Sequence, residues 1–279
     1  MAVLWLHHHL LKADSNILIL LEREIIGMLK EEQLLEKRFL ELSRIAFHRN
    51  IITFTDFLNL NELNILHNIN KSQLYSSYIT FGGYETAERQ MVAFVPDALS
   101  LRTENYPMTA LKISSSNKKF AENLTHRDYL GAILNLGIER GMTGDILIDN
   151  KAAIIFVCTK MATYIKDELV KVRHTNVVTS ITDIGNLDYI PKTELIKGTV
   201  ASVRLDSLLS LAFASSRTKL TGLIEGGKVF INGKLMTTNA YQVKKDDIIS
   251  VRGLGKFKFT GEEGQSRKNR IYITMEKYI

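Results

Sequence analysis

Hydrophobic positions recur with two different periods along this chain, and the changes of period divide it into three parts. From Met28 the run LKEEQLLEKRFLELSRIAFHRNI puts Leu34, Leu35, Phe39, Leu42 and Ile45 on one side at helical spacing, with mixed charges opposite. Phe54 to Ile69 repeats that period with Leu58, Leu63, Leu66 and Ile69, and Thr55 or Asp56 stands where an N-cap belongs. Residues 28–72 therefore read as a helical N-terminal domain. Residues 1–27 join an apolar start, a histidine triplet and a second apolar run; they read either as an upstream extension of the reading frame or as a helix packing on the next one.

Over residues 73–190 strand and helix patterns alternate. Gln73 to Tyr84 ends in FGGY, and ETAERQMVAFVP predicts a short helical turn leading into a strand that ends at Pro96. Next come a strand over Met108–Ser114, a helix over Thr125–Leu136, strands over Asp145–Ile148 and Ala152–Cys158, a helix over Lys160–Val172 and a strand over Val177–Ile184. That order suits a ferredoxin-like, RRM-like sheet covered on one face by two helices. RNA-recognition domains of this topology read bases with aromatic residues on their central strands. No such motif occurs here, and Phe156, on the best candidate central strand, reads as core.

Residues 200–279 form the third part. Leu205, Leu208, Leu209 and Ala212 recur at helical spacing, and Ser216 is placed to cap a second short helix whose stripe is Leu220, Leu223 and Ile224. Gly226-Gly227 supplies a left-handed stop. Lys228 to Ile231 alternates like a strand, Asn232-Gly233 is a pair that tolerates positive φ at both turn positions, and Lys234-Leu235-Met236 begins the returning strand. The predicted fold class is α+β throughout.

Composition adds a direction. The 279 residues, 45% hydrophobic and 24% charged, describe an ordinary globular chain of two or three domains. Its net charge of +6 is unevenly placed. From Val200 to Ile279 there are fourteen Lys and Arg against seven Asp and Glu, whereas the rest of the chain holds twenty-two against twenty-three. All the excess positive charge thus sits in the C-terminal part, as a phosphate-binding module requires. Cys158, the single cysteine, lies in the apolar run AAIIFVC and reads as a core residue in a reducing compartment. No uncharged apolar run approaches the roughly 18 residues that span a bilayer, so the expected location is cytoplasmic with no membrane contact. The histidine triplet has no Cys, Asp or Glu at ligand spacing, and no metal site is expected.

RLDSLL, SRTKLTGLIEGGKVFING and VKKDDIISVRG together resemble the small RNA-binding domain named after the fourth protein of the small ribosomal subunit, here called the S-four domain. The resemblance implies a helix face and hairpin laid on folded RNA, with Arg204, Arg217, Lys219, Lys228, Asn232, Lys234, Arg252 and Lys256 as the contacts. With GGYETAER (82–89), THRDYLGAILNLGIERGMTGDIL (125–147) and the ending SVRGLGKFKF, the chain resembles the YlmH family of bacterial proteins, which pair a middle RNA-binding domain with a C-terminal S-four domain. Two departures stand out. The hairpin tip reads Asn-Gly where the family often has Asn-Trp, and Lys256 replaces a common Arg, keeping charge but giving up bidentate geometry.

Arg89, His126, Arg127 and Arg140 fall in the middle motifs and form a candidate second RNA site, although Thr125 and Asp128 equally suit a capping box. GIERGMTGD lacks the Lys-Ser/Thr pair of a phosphate-binding loop, so nucleotide hydrolysis is not expected. S-four domains also accompany pseudouridine synthases, methyltransferases and tyrosyl-tRNA synthetases, but the signatures of those enzymes are missing: Asp206 belongs to the S-four helix, and no glycine-rich cofactor loop follows a first strand. The expectation is a noncatalytic, monomeric RNA-binding protein without cofactor or small-molecule substrate. By resemblance its partners would be rRNA and tRNA on a large ribosomal subunit carrying peptidyl-tRNA, in rescue or quality control of stalled nascent chains. An rRNA- or tRNA-modifying enzyme docking through the S-four domain, and a division-associated scaffold, are the alternatives.

Overall fold

The structure, a computed structural model, describes residues 15–117, 122–149, 152–183, 192–266 and 268–278. The first fourteen residues of the leader lie outside that set. From Ser15 the chain is one helix, α1 (Ser15–Arg49). Phe39, Leu42 and Ala46 on α1 are buried against Leu63 and Leu66 of α2 (Leu60–Asn68). Leu34, expected on the apolar side, is instead 64% exposed.

The second helix starts later than its periodicity predicts. Thr53–Phe54 is a short strand, β1, paired with β3 (Met91–Val95), and Thr55 Oγ1 accepts from the Val92 amide at 2.9 Å, so Thr55 serves a strand pair rather than a helix cap. The cap is Asn59. Its side chain accepts from the amides of Asn61 and Glu62, and the Glu62 carboxylate returns to the Asn59 amide at 2.6 Å, a reciprocal capping box. The ETAER stretch forms turns and no helix. With β2 (Ser77–Phe81), β1 and β3 make a three-stranded antiparallel sheet in the order β1-β3-β2.

Every residue of β3 is buried. Val92 and Phe94 face α1 and α2, while Met91, Ala93 and Val95 face a second, five-stranded sheet. Apolar layers on both sides explain why this strand reads as an unbroken hydrophobic run. The five-stranded sheet comprises β4 (Met108–Ser115), β5 (Thr143–Asp149), β6 (Ala152–Cys158), β7 (Lys171–Val172) and β8 (Thr175–Thr182), antiparallel in the order β5-β6-β4-β8-β7. Helix α3 (His126–Leu134) connects β4 to β5, and α4 (Thr159–Glu168) follows β6. Leu111, Ile113, Ile155 and Val157 pack under Tyr129, Ile133, Ala162 and Ile165 of those helices; Met108, Ala110, Phe156 and Cys158 point the other way, onto β3. The result is four layers: helices, sheet, sheet, helices.

The helix expected to reach Val172 stops at Glu168, because Lys171 and Val172 pair with Asn176 and Thr175 around Arg173 at φ 52°. The following strand accordingly begins at Thr175; Ile184, its expected end, lies outside the described residues.

The C-terminal part holds α5 (Leu205–Ala212), α6 (Arg217–Glu225) and a six-stranded antiparallel sheet in the order β11-β10-β12-β13-β14-β9. Its strands are β9 (Thr193–Val200), β10 (Val229–Ile231), β11 (Lys234–Leu235), β12 (Ile248–Val251), β13 (Gly255–Gln265) and β14 (Ile271–Tyr278). Leu205, Leu208, Leu209, Leu220 and Ile224 bury onto Val229, Ile231, Ile249, Phe257 and Ile273. Ser216 caps α6, accepting from the Lys219 amide at 3.4 Å, and Gly227 follows it at φ 68°. Asn232 and Gly233, at φ 50° and 79°, make the hairpin turn with two positive φ angles that their sequence predicts.

Candidate nucleic-acid interface

Once α5 and α6 have spent their apolar faces on the sheet, their remaining faces are polar. Arg217 and Lys219 in the first turn of α6, Lys228 before β10 and Lys234 on β11 are all exposed, and none of the four forms an ion pair among the described residues. The Arg252 amide donates to the Lys228 carbonyl at 2.9 Å, continuing the Val229–Val251 register by one step and setting these two cations side by side. The Arg252 guanidinium lies 5.4 Å from the Phe230 ring centroid. Arg204 differs from this group. It grips Asp206 with Nε and Nη2 at 3.1 and 3.2 Å, so much of its charge is answered locally.

Two of the expected contacts are engaged inside the fold. Asn232 donates from Nδ2 to Asp247 at 2.7 Å and accepts from the Ile248 amide at 2.9 Å, which pins the hairpin tip to β12. Lys256 reaches away from the S-four unit: Nζ donates to the Thr86 carbonyl at 2.6 Å, between the rings of Tyr84 and Tyr278 at 5.6 and 5.2 Å. It ties the C-terminal part to the GGYETAER segment. A cleft of about 310 Å³ opens there, lined by Tyr84, Glu88, His126, Asp145, Lys256 and Tyr278 among others. Burial raises the Glu88 carboxyl above its ordinary value, with Lys256 opposing. The hairpin is also docked on its other side, where the Leu235 amide donates to Asn64 of α2 at 2.9 Å.

GGYETAER itself wraps around Asp145. That carboxylate accepts from the Tyr84 hydroxyl at 2.9 Å and from the amides of Glu88 and Arg89 at 2.7 and 3.2 Å. Gly83, at φ 97°, lies flat on Phe156, where a Cβ would stand 2.2 Å from the ring; Tyr84 stacks on the same ring at 5.7 Å. Arg89 spends its guanidinium on the carbonyls of Thr143, Phe57 and Arg140, and Arg140 donates to the carbonyls of Thr143 and Gly144. Burial lowers the pKa of Arg89; burial and then the charge of Arg89 lower that of Arg140 to about 10.

The four residues of the candidate second site therefore do not converge. Arg89 and Arg140 form an internal buckle. His126, accessible at one edge, turns its ring into the cleft, where partial desolvation and then Arg140 lower its pKa. Arg127 lines a separate groove with Asp128 and Arg173. Thr125 and Asp128 do form the capping box, with Asp128 accepting from the Thr125 amide at 2.8 Å. The sheet face that RNA-recognition domains use is covered by β1, β2 and β3, and Phe156 is wholly buried within it. Asp145, the hub of the segment, carries no local signal in the sequence. Its partners are 56 to 61 positions away.

Among the described residues no group of three His, Cys, Asp or Glu side chains could hold a metal ion, and no helix is long and apolar enough to cross a membrane. Burial first, then Asp56, pushes the Cys158 thiol up to about 12.

Residues 203–249 match the S4 domain family, and residues 102–185 match the family described as "Putative RNA-binding domain in YlmH". Arg217, Lys219, Lys228 and Lys234 thus sit within an RNA-binding module of the S-four class, with Arg252 three residues beyond the matched range. A protein of Bacillus subtilis, "Ribosome-associated protein quality control protein P2", is 28% identical over 250 residues, spanning 89% of this chain and 96% of the relative. The two matched domains and this relative together make the chain similar to the YlmH family, with an S-four domain toward the C-terminus. A solved structure, "Cell division protein ylmH from Streptococcus pneumoniae", aligns with a TM-score of 0.47 at 24% identity, covering 56% of this chain and 94% of that one.

Proposed function

We propose that this chain is a noncatalytic RNA-binding factor of the translation machinery, which docks as a monomer on the large ribosomal subunit carrying peptidyl-tRNA, in rescue or quality control of stalled nascent chains. The observation that carries the reading is the set of unpaired, exposed cations Arg217, Lys219, Lys228 and Lys234, with Arg252 beside them, on one S-four unit. Unpaired cations release counterions from phosphate without first breaking an internal ion pair. The relative from Bacillus subtilis carries ribosome association and quality control in its name, which supports the ribosome as the site of action. Arg204, Asn232 and Lys256 shape the module, and Arg89 and Arg140 hold the middle domain together. In this reading residues 73–190 are a ferredoxin-like domain, supported by the β-α-β-β-α-β order and the strand arrangement β5-β6-β4-β8. The helical region 28–72 and the S-four region 200–279 flank it.

Replacing Arg217, Lys219, Lys228 and Lys234 together is expected to reduce the salt slope of RNA binding by about three to four units, each phosphate contact contributing about 0.7–0.9. Crosslinking in cells followed by sequencing identifies the RNA. Reads concentrated in large-subunit rRNA and tRNA support the reading; reads confined to messenger RNA, or an unchanged salt slope in a folded quadruple variant, overturn it.

A further inference from the structure

We propose that the C-terminal end of α1 and the turn before β2 form a stacking platform for unpaired bases of single-stranded RNA, separate from the S-four face. Phe47 and Tyr75 are 53% and 51% exposed, large rings left in water at a cost in apolar burial. With His48 they close a triangle: the ring centroids lie 5.4 Å apart for Phe47 and His48, 6.3 Å for Phe47 and Tyr75, and 5.9 Å for His48 and Tyr75. The interplanar angles of 80°, 48° and 45° splay the rings, so that they shelter one another only partly and keep faces open to solvent.

The triangle is held from beneath. Ser43, completely buried, accepts from the amides of Tyr75 and Ser76 at 2.8 and 3.0 Å, and the two serine hydroxyls meet at 3.2 Å. A buried polar network that fixes an exposed aromatic segment against a helix removes the ordering cost that a flexible ring pays on binding. Around the rings the charge is positive. Arg44 stands three and four positions before Phe47 and His48, on the same face of α1. Arg49 ends the helix, and Lys71 lines a groove of about 550 Å³ with Tyr75 and Tyr78. None of these three cations forms an ion pair among the described residues; of the neighbouring acids, Glu41 is paired with Arg38 at 2.9 Å, and Asp97 lines the Lys71 groove. Attraction to the helix C-terminus accounts for Arg49 but not for Arg44 or Lys71. Open aromatic faces with Arg44 on the same helix face and Lys71 in the adjoining groove suit successive bases and their phosphates, and a duplex, whose bases are already stacked, does not offer such bases.

The test uses the full chain, a short oligouridylate and a folded RNA hairpin. Phe47→Ala with Tyr75→Ala is expected to weaken oligouridylate binding about tenfold or more for each ring, leave hairpin binding unchanged, and keep the circular dichroism of the wild type. Tyr75→Phe, which retains the ring, is expected to bind as the wild type does. Replacing the four S-four cations should show the opposite pattern, with hairpin binding lost and oligouridylate retained, so failure of either site is read independently. Oligouridylate affinity unchanged in the folded double variant, equal losses toward both RNAs, or no binding by the wild type overturns the proposal. A photocrosslinking residue at position 47 covers the case of a variant that does not fold: crosslinks to oligouridylate support the platform, and crosslinks in cells to protein alone overturn it.

Discussion

Replacing Arg89 by Met removes one guanidinium and strands three carbonyls. Nε donates to Thr143 at 2.9 Å, and Nη2 donates to Phe57 and Arg140 at 2.8 and 3.1 Å, so one side chain joins the segment before α2, the turn before β5 and the GGYETAER loop. A hydrogen bond from a charged donor contributes about 1.5–3 kcal/mol, but the three share one group and the site is only partly desolvated. About 3 kcal/mol is therefore the expected loss, a large fraction of the 5–15 kcal/mol that typically holds a domain together. With a urea m-value of about 2 kcal/mol/M the unfolding midpoint should fall by about 1.5 M. Arg89→Lys keeps the charge without the fork and should recover less than half of that shift. The salt slope of RNA binding, measured on the folded variant, should stay at the wild-type value. A midpoint shift under about 0.5 M, joined to a salt slope reduced by about one unit, would show Arg89 to be a phosphate contact and refute the buckle.

Gly83→Ala places a Cβ 2.2 Å from the Phe156 ring at a backbone φ of 97°, and should cost about 3 kcal/mol or more, read as a fall in melting temperature of about 10 °C; an unshifted melting temperature would refute the close approach. Burial, then Lys234, lowers the pKa of His67, whose Nδ1 meets the Tyr78 hydroxyl at 3.1 Å, so the neutral ring belongs to the native state. The unfolded chain takes up that proton at the ordinary value near 6.5 and the native chain only below it; stability from His67 is thus complete above 6.5 and is lost as pH falls through the lowered native value. Urea midpoints should drop on acidification through that window and drop less in His67→Gln; an equal drop in the two proteins would assign the effect elsewhere.

Local signals in the sequence carried the helix pair and hairpin of the C-terminal part, but not β9, β13 and β14. Ser216, Gly227 and the Asn232-Gly233 pair each act on their immediate neighbours, so spacing alone places α6 and the hairpin. The core faces of α3 and α4 follow from periodicity in the same way. What stayed hidden depends on partners distant in the chain. Strand β1 is two residues long, too short for any period, and exists because β3 lies beside it. Arg89 and Arg140 look like surface cations until the carbonyls of Phe57 and Thr143 are brought to them. Lys256 looks like a surface cation until the Thr86 carbonyl, 170 positions earlier, is brought to accept from its Nζ. The exposed Phe47 and Tyr75 carry no periodic signature, since a platform at the end of a helix breaks the pattern of both elements it joins.

Strand β9 pairs rung for rung with β14, from Thr193 opposite Tyr278 to Val200 opposite Ile271. During synthesis the first of these strands emerges long before the second, with the whole helix pair and hairpin between them. Until β14 arrives, β9, the edge strand of the finished sheet, has no strand partner on either side, and its backbone groups are available to any other extended chain nearby. Loss of the last strand therefore harms more than the terminus: it removes the partner of β9 and of β13 and exposes the core beneath Ile273 and Met275. A copy lacking residues 271–278 would present two strands, β9 and β13, without the partner that lies between them, and so a wider adhesive sheet edge.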